Sequence, residues 1–451
     1  MKETAKIKSL KLSTFQLIVV LYFIGALLST GLLLLPIAHK PGVELAFIDA
    51  LFVAVSALSV TGLSPVGTVE TFSTVGYFFI LFILQVGGIG IMTLSSIIWL
   101  LVGKRIGMRE RQLIMADQNR TDLSGLVKLM REIFLLILSI EAIGALILGT
   151  YFLQYYPTAS EAFLHGIFAS ISATTNGGFD ITGQSLIVYQ DDYFVQFINM
   201  VLIVLGAIGF PVLVEVKDYL TYRGTHKFRF SLFTKLTTTV YAALAIFGAI
   251  GIYLLDRYHF FADKSWHESL FYATFQSIAA RSAGLTTLDL NEFSTATLLF
   301  ISTLMFIGAS PSSVGGGLRT TTFAIAMLSV YFFARGKNTI KIFNREVHPI
   351  DIQRSFVVIT TGFFIWGGSI ILLSFLEPSL PIVKVVFEVS SAFGTTGSSL
   401  GITADLGTPA KLLLISLMFI GRIGLFSLLF VIRGREIKES YHYPKERILI
   451  G

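Results

Sequence analysis

The chain has 451 residues, 54% of them hydrophobic and 14% charged, with a mean hydropathy of +0.76. So little charge on so long a chain excludes an ordinary soluble domain and places the protein in the membrane class. It contains no cysteine, which removes disulfides, thiolate metal sites and cysteine nucleophiles, and its net charge of +6 carries meaning only through its distribution.

The first apolar run, Phe15 to Leu35, is 21 residues long and would reach about 31 Å as a helix, enough for a bilayer core of about 30 Å. Lys2, Lys6, Lys8 and Lys11 precede it as they would in a signal peptide. The run is too long for that and ends at Pro36 without a small-residue cleavage pattern, so it reads as a retained span. After a loop with Pro36 and Pro41 comes an apolar half-helix, Ala46 to Leu58, of about 20 Å, which cannot cross a bilayer and must turn back. The chain turns at SVTGLSP and returns as Thr74 to Val102. The charged stretch from Gly103 to Arg131 fits either a solvated linker or a docking surface. The same order recurs as Ile133 to Leu153, Ala162 to Thr175 and Tyr193 to Leu220. It recurs again as Leu236 to Leu255, Trp266 to Ala280 and a return from Thr295, and finally as Ser355 to Leu376, Pro381 to Phe393 and Pro409 to Ile432. The expected fold is therefore an all-α integral membrane protein of four span/pore-helix/span repeats, eight transmembrane helices plus four re-entrant half-helices around a pseudo-fourfold pore. The repeats occupy residues 1–110, 111–230, 231–345 and 346–451, the last with the C-terminal tail.

The repeat is fixed by one register. Gly62 in SVTGL, Gly178 in ATTNGGF, Gly284 in ARSAGL and Gly397 in FGTTGS are spaced by 116, 106 and 113 residues. Phe52, Phe168, Thr274 and Phe387 stand ten residues earlier, and Ala57, Ala173, Ala279 and Ala392 five earlier. Non-helical backbone at membrane depth is tolerated only inside protein or beside a water-filled cavity. Four such segments around an axis would offer rings of carbonyl oxygens in place of a cation's hydration shell, with the negative ends of the half-helices aimed at the centre. The candidate ion-binding backbone is Val60, Thr61 and Gly62; Asn176, Gly177 and Gly178; Ser282, Ala283 and Gly284; and Thr395, Thr396 and Gly397. A single glycine in a membrane helix more often serves packing, but four in register after four half-helices argue for a shared site. Gly87, Gly206, Gly308 and Gly421 follow later in each repeat and fit packing or hinge roles.

The third return segment reads FIGASPSSVGGGLRTTTF, which cannot form a regular helix. Gly308, Ala309, Ser310, Pro311, Ser312, Ser313, Gly315, Gly316 and Gly317 are candidate gate residues lining a pore, with a simple kink as the alternative. The stretch lacks the spacing of a nucleotide-binding loop. Arg422, in FIGRIG, would be a positive barrier beside that loop, or else the partner of a buried acid such as Glu141. Arg281 suits a structural role behind the third glycine, and Asp180, Asp289 and Asp405 would concentrate cations at the mouth. The seven histidines are scattered and no nucleophile meets convergent titratable groups, so an enzyme is not expected. About 26 of the 34 Lys and Arg fall in five segments on one side, which places both termini in the cytoplasm and argues against nucleic-acid binding.

These motifs together, across nearly the whole chain, resemble the Trk/Ktr/HKT superfamily of potassium transporters, and most of all the membrane subunit of bacterial Ktr systems. The resemblance implies potassium uptake across the cell membrane through a selective, gated pore, with potassium on the backbone carbonyls, sodium as an activator and no covalent cofactor. It also implies a homodimer in the lipid bilayer, served by a cytosolic nucleotide-binding regulatory ring of the KtrA/KtrC type. Glycine at all four positions, Gly62, Gly178, Gly284 and Gly397, goes with potassium preference in that family. Its gating loop maps onto Gly308 to Gly317 and its pore arginine onto Arg422. The competing expectation is an ion-coupled secondary transporter of potassium, sodium or another monovalent cation; those commonly carry inverted repeats, whereas these run in one orientation.

Overall fold

The computed structural model describes residues 14–90, 93, 111, 115, 125–224, 226–432, 441, 443, 444, 446 and 448. Helices dominate it. α1 (Thr14–Leu33) is an uncharged aliphatic run that ends just before Pro36, which opens a single 3-10 turn. α2 (Phe47–Leu58) carries Asp49 in its first turn, where the helix dipole favours an acid. α3 (Thr74–Ile89) is capped by Ser73, whose hydroxyl accepts from Gly76 N. The second unit is α4 (Leu126–Phe152), α5 (Ala159–Thr174), α6 (Tyr193–Ala207) and α7 (Phe210–Thr221). The third is α8 (Leu232–Asp256), α9 (Trp266–Ala279), α10 (Thr295–Ile307) and α11 (Thr320–Ala334), with Ser265 and Glu268 forming a capping box on α9. A short hairpin, β1 (Lys341–Ile342) and β2 (Arg345–Glu346), turns through left-handed Phe343 and Asn344 and is the one two-stranded sheet among the described residues. The fourth unit is α12 (Pro349–Leu376), α13 (Ile382–Gly394), α14 (Thr408–Ile423) and α15 (Leu425–Ile432).

Among the described residues α1, α4, α8 and α12 are long and apolar enough to cross a membrane. The return segments differ from the sequence expectation. Tyr193 to Leu220 is not one helix: α6 and α7 meet at 104°. Likewise Pro409 to Ile432 breaks into α14 and α15 at 97°. α3 stops at Ile89, and the remainder of the expected helix to Val102, apart from Thr93, lies outside the described residues. The physical cause is a glycine at each break, Gly90, Gly209 and Gly424, with φ of 93°, 103° and 89°, values no α-helix accommodates. Interruption is thus not confined to the third unit, where a long loop, residues 308–319, separates the two pieces.

Packing is sequential and closed. α3 packs on α5, α6 on α9, α10 on α13, and α14 returns to α2, so each return helix meets the half-length helix of the next unit. The last contact is stapled by an ion pair, Lys411 Nζ to Asp49 Oδ1 at 2.8 Å, between two largely buried side chains. Lys411 stands in the first turn of α14. Large apolar side chains such as Phe23, Leu28, Phe82, Leu146, Phe247, Phe364 and Phe375 face outward, as a lipid-embedded surface requires and an aqueous one would not tolerate. The chain is a multi-pass membrane protein.

Candidate ion-binding site

Each half-length helix ends three to five residues before its aligned glycine, at Leu58, Thr174, Ala279 and Gly394. The turn that follows is tight. Thr61 N donates to Ser56 O at 2.8 Å, Gly177 N to Ser172 O at 2.7 Å and Thr396 N to Ser391 O at 2.8 Å. Val60, Asn176 and Thr395, two residues before the glycines, are left-handed with φ of 57°, 55° and 49°. The glycines follow with φ of 98°, 68°, 65° and 97° at 62, 178, 284 and 397. Non-glycine residues in this region cost on the order of 1–2 kcal/mol each, and such strain persists only where the surroundings over-determine it.

These four segments come together. A Cβ placed on Gly62 would lie 2.7 Å from Gly177 O and 2.8 Å from Gly178 Cα, and one on Gly178 would lie 2.9 Å from Ala283 O. One on Gly284 would lie 2.8 Å from Gly397 Cα, and one on Gly397 3.0 Å from Gly62 Cα. The glycines therefore meet in chain order and the last meets the first. Backbone from four distant parts of the chain converges at van der Waals contact, which only residues without Cβ permit.

Serine hydroxyls support the ring. Ser56 Oγ accepts from Gly62 N at 3.0 Å, Ser391 Oγ accepts from Gly397 N at 3.0 Å, and Ser172 Oγ donates to Phe179 O at 2.6 Å. These residues were missed in the sequence, although the signal is there: serine stands six positions before the glycine in three units, with Ile278 in the third. Glu388 was also missed. It is fully buried on α13 and accepts from Ser399 Oγ at 2.8 Å and from the Thr403 hydroxyl, fixing the loop beyond Gly397.

A cavity of about 310 Å³ lies on one side of the ring, lined by Gly62, Gly178, Gly397, Asp180 and Thr403 among others. Asp180 folds its carboxylate onto Thr182 N, Thr182 Oγ1 and Gly183 N at 2.7 to 3.0 Å. Asp289 and Asp405 are exposed in other loops and do not line this cavity. A second cavity of about 300 Å³ is lined by Pro311, Ser312, Ser313, Gly317, Gly88 and Arg422.

The loop between α10 and α11 bounds that second cavity, held by its neighbours. Ser310 N donates to Ala207 O at 3.2 Å, Val314 N to Gly206 O at 3.3 Å, Phe210 N to Ser312 O at 2.8 Å, and Gly317 N to Gly421 O at 3.3 Å. Ala309 N donates to Gly316 O at 3.3 Å, and Gly308, with φ of 65°, ends α10. A Cβ on Gly315 would strike the Ala309 Cβ at 2.6 Å, and one on Gly316 the Thr395 side chain at 2.5 Å. Arg422, buried, donates to Val314 O on the loop and to Gly87 O and Gly88 O on α3. Glu141 instead takes a hydrogen bond from Gln85 Nε2. Arg281 is buried behind the third segment, donating to Tyr241 O at 2.9 Å with its guanidinium 3.9 Å above the Tyr241 ring. Gly87, Gly206 and Gly421 are packing positions, since a Cβ on each would fall 2.8 to 3.2 Å from the carbonyl carbon of Leu58, Thr174 or Phe393.

A family model described as TrkH, cation transport protein, matches residues 5–438. The chain is 57% identical over 440 residues to Ktr system potassium uptake protein D of Bacillus subtilis (strain 168), covering 98% of each chain. It is 33% identical over 448 residues to potassium/sodium uptake protein NtpJ of Enterococcus hirae, again covering 98% of each. Its fold matches the crystal structure of the potassium transporter TrkH from Vibrio parahaemolyticus with a TM-score of 0.73 at 20% identity, over 94% of this chain and 86% of that one. With a family match over nearly its whole length and relatives that are transporters, the chain belongs to the TrkH family of cation transport proteins.

Proposed function

We propose that the protein takes up potassium across the cell membrane through a selective, gated pore formed by four span/pore-helix/span repeats around a pseudo-fourfold axis, the repeats occupying residues 1–110, 111–230, 231–345 and 346–451. The observation that carries this reading is the closure of Gly62, Gly178, Gly284 and Gly397 into one ring of contacts, with one cavity against the ring and a second beside the loop between α10 and α11. A cation entering from the outer cavity exchanges its water for the carbonyl oxygens of residues 60–62, 176–178, 282–284 and 395–397, while the C-terminal ends of α2, α5, α9 and α13 offset its charge. Beyond the ring, residues 308–317 form the gate, and Arg422 bridges gate and α3 while adding a positive charge to the inner cavity. The name of the B. subtilis relative supplies potassium as the ion, and that of the E. hirae relative supplies potassium together with sodium.

In this reading the basic segments and both termini face the cytoplasm, the protein works as a homodimer, sodium stimulates it, and a nucleotide-binding cytosolic ring regulates it. The test is flux of potassium and sodium by the purified chain in liposomes, alone and with a candidate regulatory ring. Selective downhill potassium flux supports the pore; obligatory exchange or coupling moves the protein to the secondary transporters.

A further inference from the structure

α7 joins the loop at one end to an unusual surface at the other. Its first residue, Phe210, donates its N–H to Ser312 O at 2.8 Å, and a Cβ on the preceding Gly209 would lie 2.8 Å from Pro311 O. The helix leaves α6 at 104°, so with α6 running along the bilayer normal it lies close to the membrane plane for about 18 Å. At its far end Val216, Tyr219 and Leu220 are exposed, Leu220 by 76%. Tyr219, Tyr222, Phe228 and Phe230 gather there with ring centroids 5.2 to 5.5 Å apart. Around this cluster Lys217, Arg223, Lys227 and Arg229 are exposed, and none of them forms an ion pair among the described residues. Of the acids in the stretch, Glu215 is turned away onto Ser231 N and Oγ at 2.6 and 2.8 Å and onto the Thr234 hydroxyl, leaving Asp218.

An in-plane helix with exposed aliphatic residues, an aromatic cluster and unpaired cations has the composition of an interfacial lipid-binding segment. We infer that Lys217, Arg223, Lys227 and Arg229, with the exposed apolar residues beside them, bind the phosphate headgroups of anionic phospholipids in the leaflet they face, and that α7 transmits this occupancy to the loop through Phe210 and Ser312. An acidic protein surface would satisfy the cations but would leave no aqueous explanation for Val216 and Leu220. Lipid occupancy shifts the loop only as far as headgroups bind its two positions differently, which makes the coupling measurable.

The test uses the full chain reconstituted in phosphatidylethanolamine with and without phosphatidylglycerol, then extracted gently so that retained lipids can be quantified by mass spectrometry. Wild type is expected to retain phosphatidylglycerol above its share of the bilayer. The triple variant Arg223→Gln, Lys227→Gln, Arg229→Gln should cut that excess about fivefold or more, since one basic residue near a lipid surface is worth roughly that factor. Arg223→Lys with Arg229→Lys, which keeps the charge, should retain it and controls for folding. No excess in wild type, or an unchanged excess in the triple variant, overturns the site and leaves the segment as a protein contact. For the lever, potassium flux should respond to phosphatidylglycerol in wild type and not in the triple variant; an equal response in both overturns it. Lipid retention is read without transport, so failure of the pore reading would not be mistaken for failure of this one.

Discussion

Gly62→Ser probes the ring at the contact between the first and second segments. The new Cβ would stand 2.7 Å from Gly177 O and 2.8 Å from Gly178 Cα, so one of the two segments must retreat by at least about 0.7 Å to reach ordinary contact distance. The residue also sits at φ 98°, a conformation that costs an L side chain roughly 1–2 kcal/mol. Selectivity is a difference between two ions at the same carbonyls, and about 1.4 kcal/mol of that difference is a factor of ten. Displacing the carbonyls of two units is therefore expected to lower the potassium-to-sodium flux ratio by about tenfold, with a loss of stability of about 2 kcal/mol. The assay is paired potassium and sodium flux in liposomes, beside thermal unfolding. Gly42→Ser is the control, because Gly42 has φ 82° with open space around it and carries the backbone cost without the crowding. A ratio unchanged in Gly62→Ser, or lowered equally in Gly42→Ser, would refute the reasoning.

Three further outcomes follow from the same contacts. Deleting Ser312 to Gly316 removes the links to Phe210 N and Gly206 O and should raise potassium flux several-fold; flux at or below wild type with an intact fold would show the segment to be a kink. Arg422→Ala removes the bridge from α14 to Val314 O and Gly87 O and should likewise raise flux, and Arg422→Lys should behave similarly because it loses the planar fork that serves Val314 O from one nitrogen and Gly87 O from the other. Asp49→Ala strands Lys411 in the wall between α2 and α14 and should cost about 3 kcal/mol in unfolding measurements; Asp49→Leu with Lys411→Met should recover most of it, and no recovery would argue against a buried ion pair.

Much of the fold was legible because the bilayer constrains the chain so strongly. The spans starting near Phe15, Ile133, Leu236 and Ser355 announce themselves by length and hydropathy, and α2, α5, α9 and α13 by being too short to cross. The breaks at Gly90, Gly209 and Gly424 were not legible. A glycine inside an apolar run reads the same whether it packs, as Gly206 does, or bends the chain, as Gly209 does three residues later. Pro311 and the three glycines after it were enough to show the loop, but not that Gly206, Ala207, Phe210 and Gly421 hold it by backbone hydrogen bonds. Those partners carry no side-chain signature. The repeated glycines pointed to a common centre, whereas Ser56, Ser172 and Ser391 escaped notice because isolated serines in a membrane helix most often bond back to their own turn.

The most direct measurement is potassium flux through the purified protein in liposomes under a potassium gradient, with sodium on either side and with the candidate regulatory ring added. The account predicts passive potassium flux well above that of sodium, running down its own gradient. Equal flux of both ions, or potassium movement only in strict exchange for or together with another ion, would contradict it.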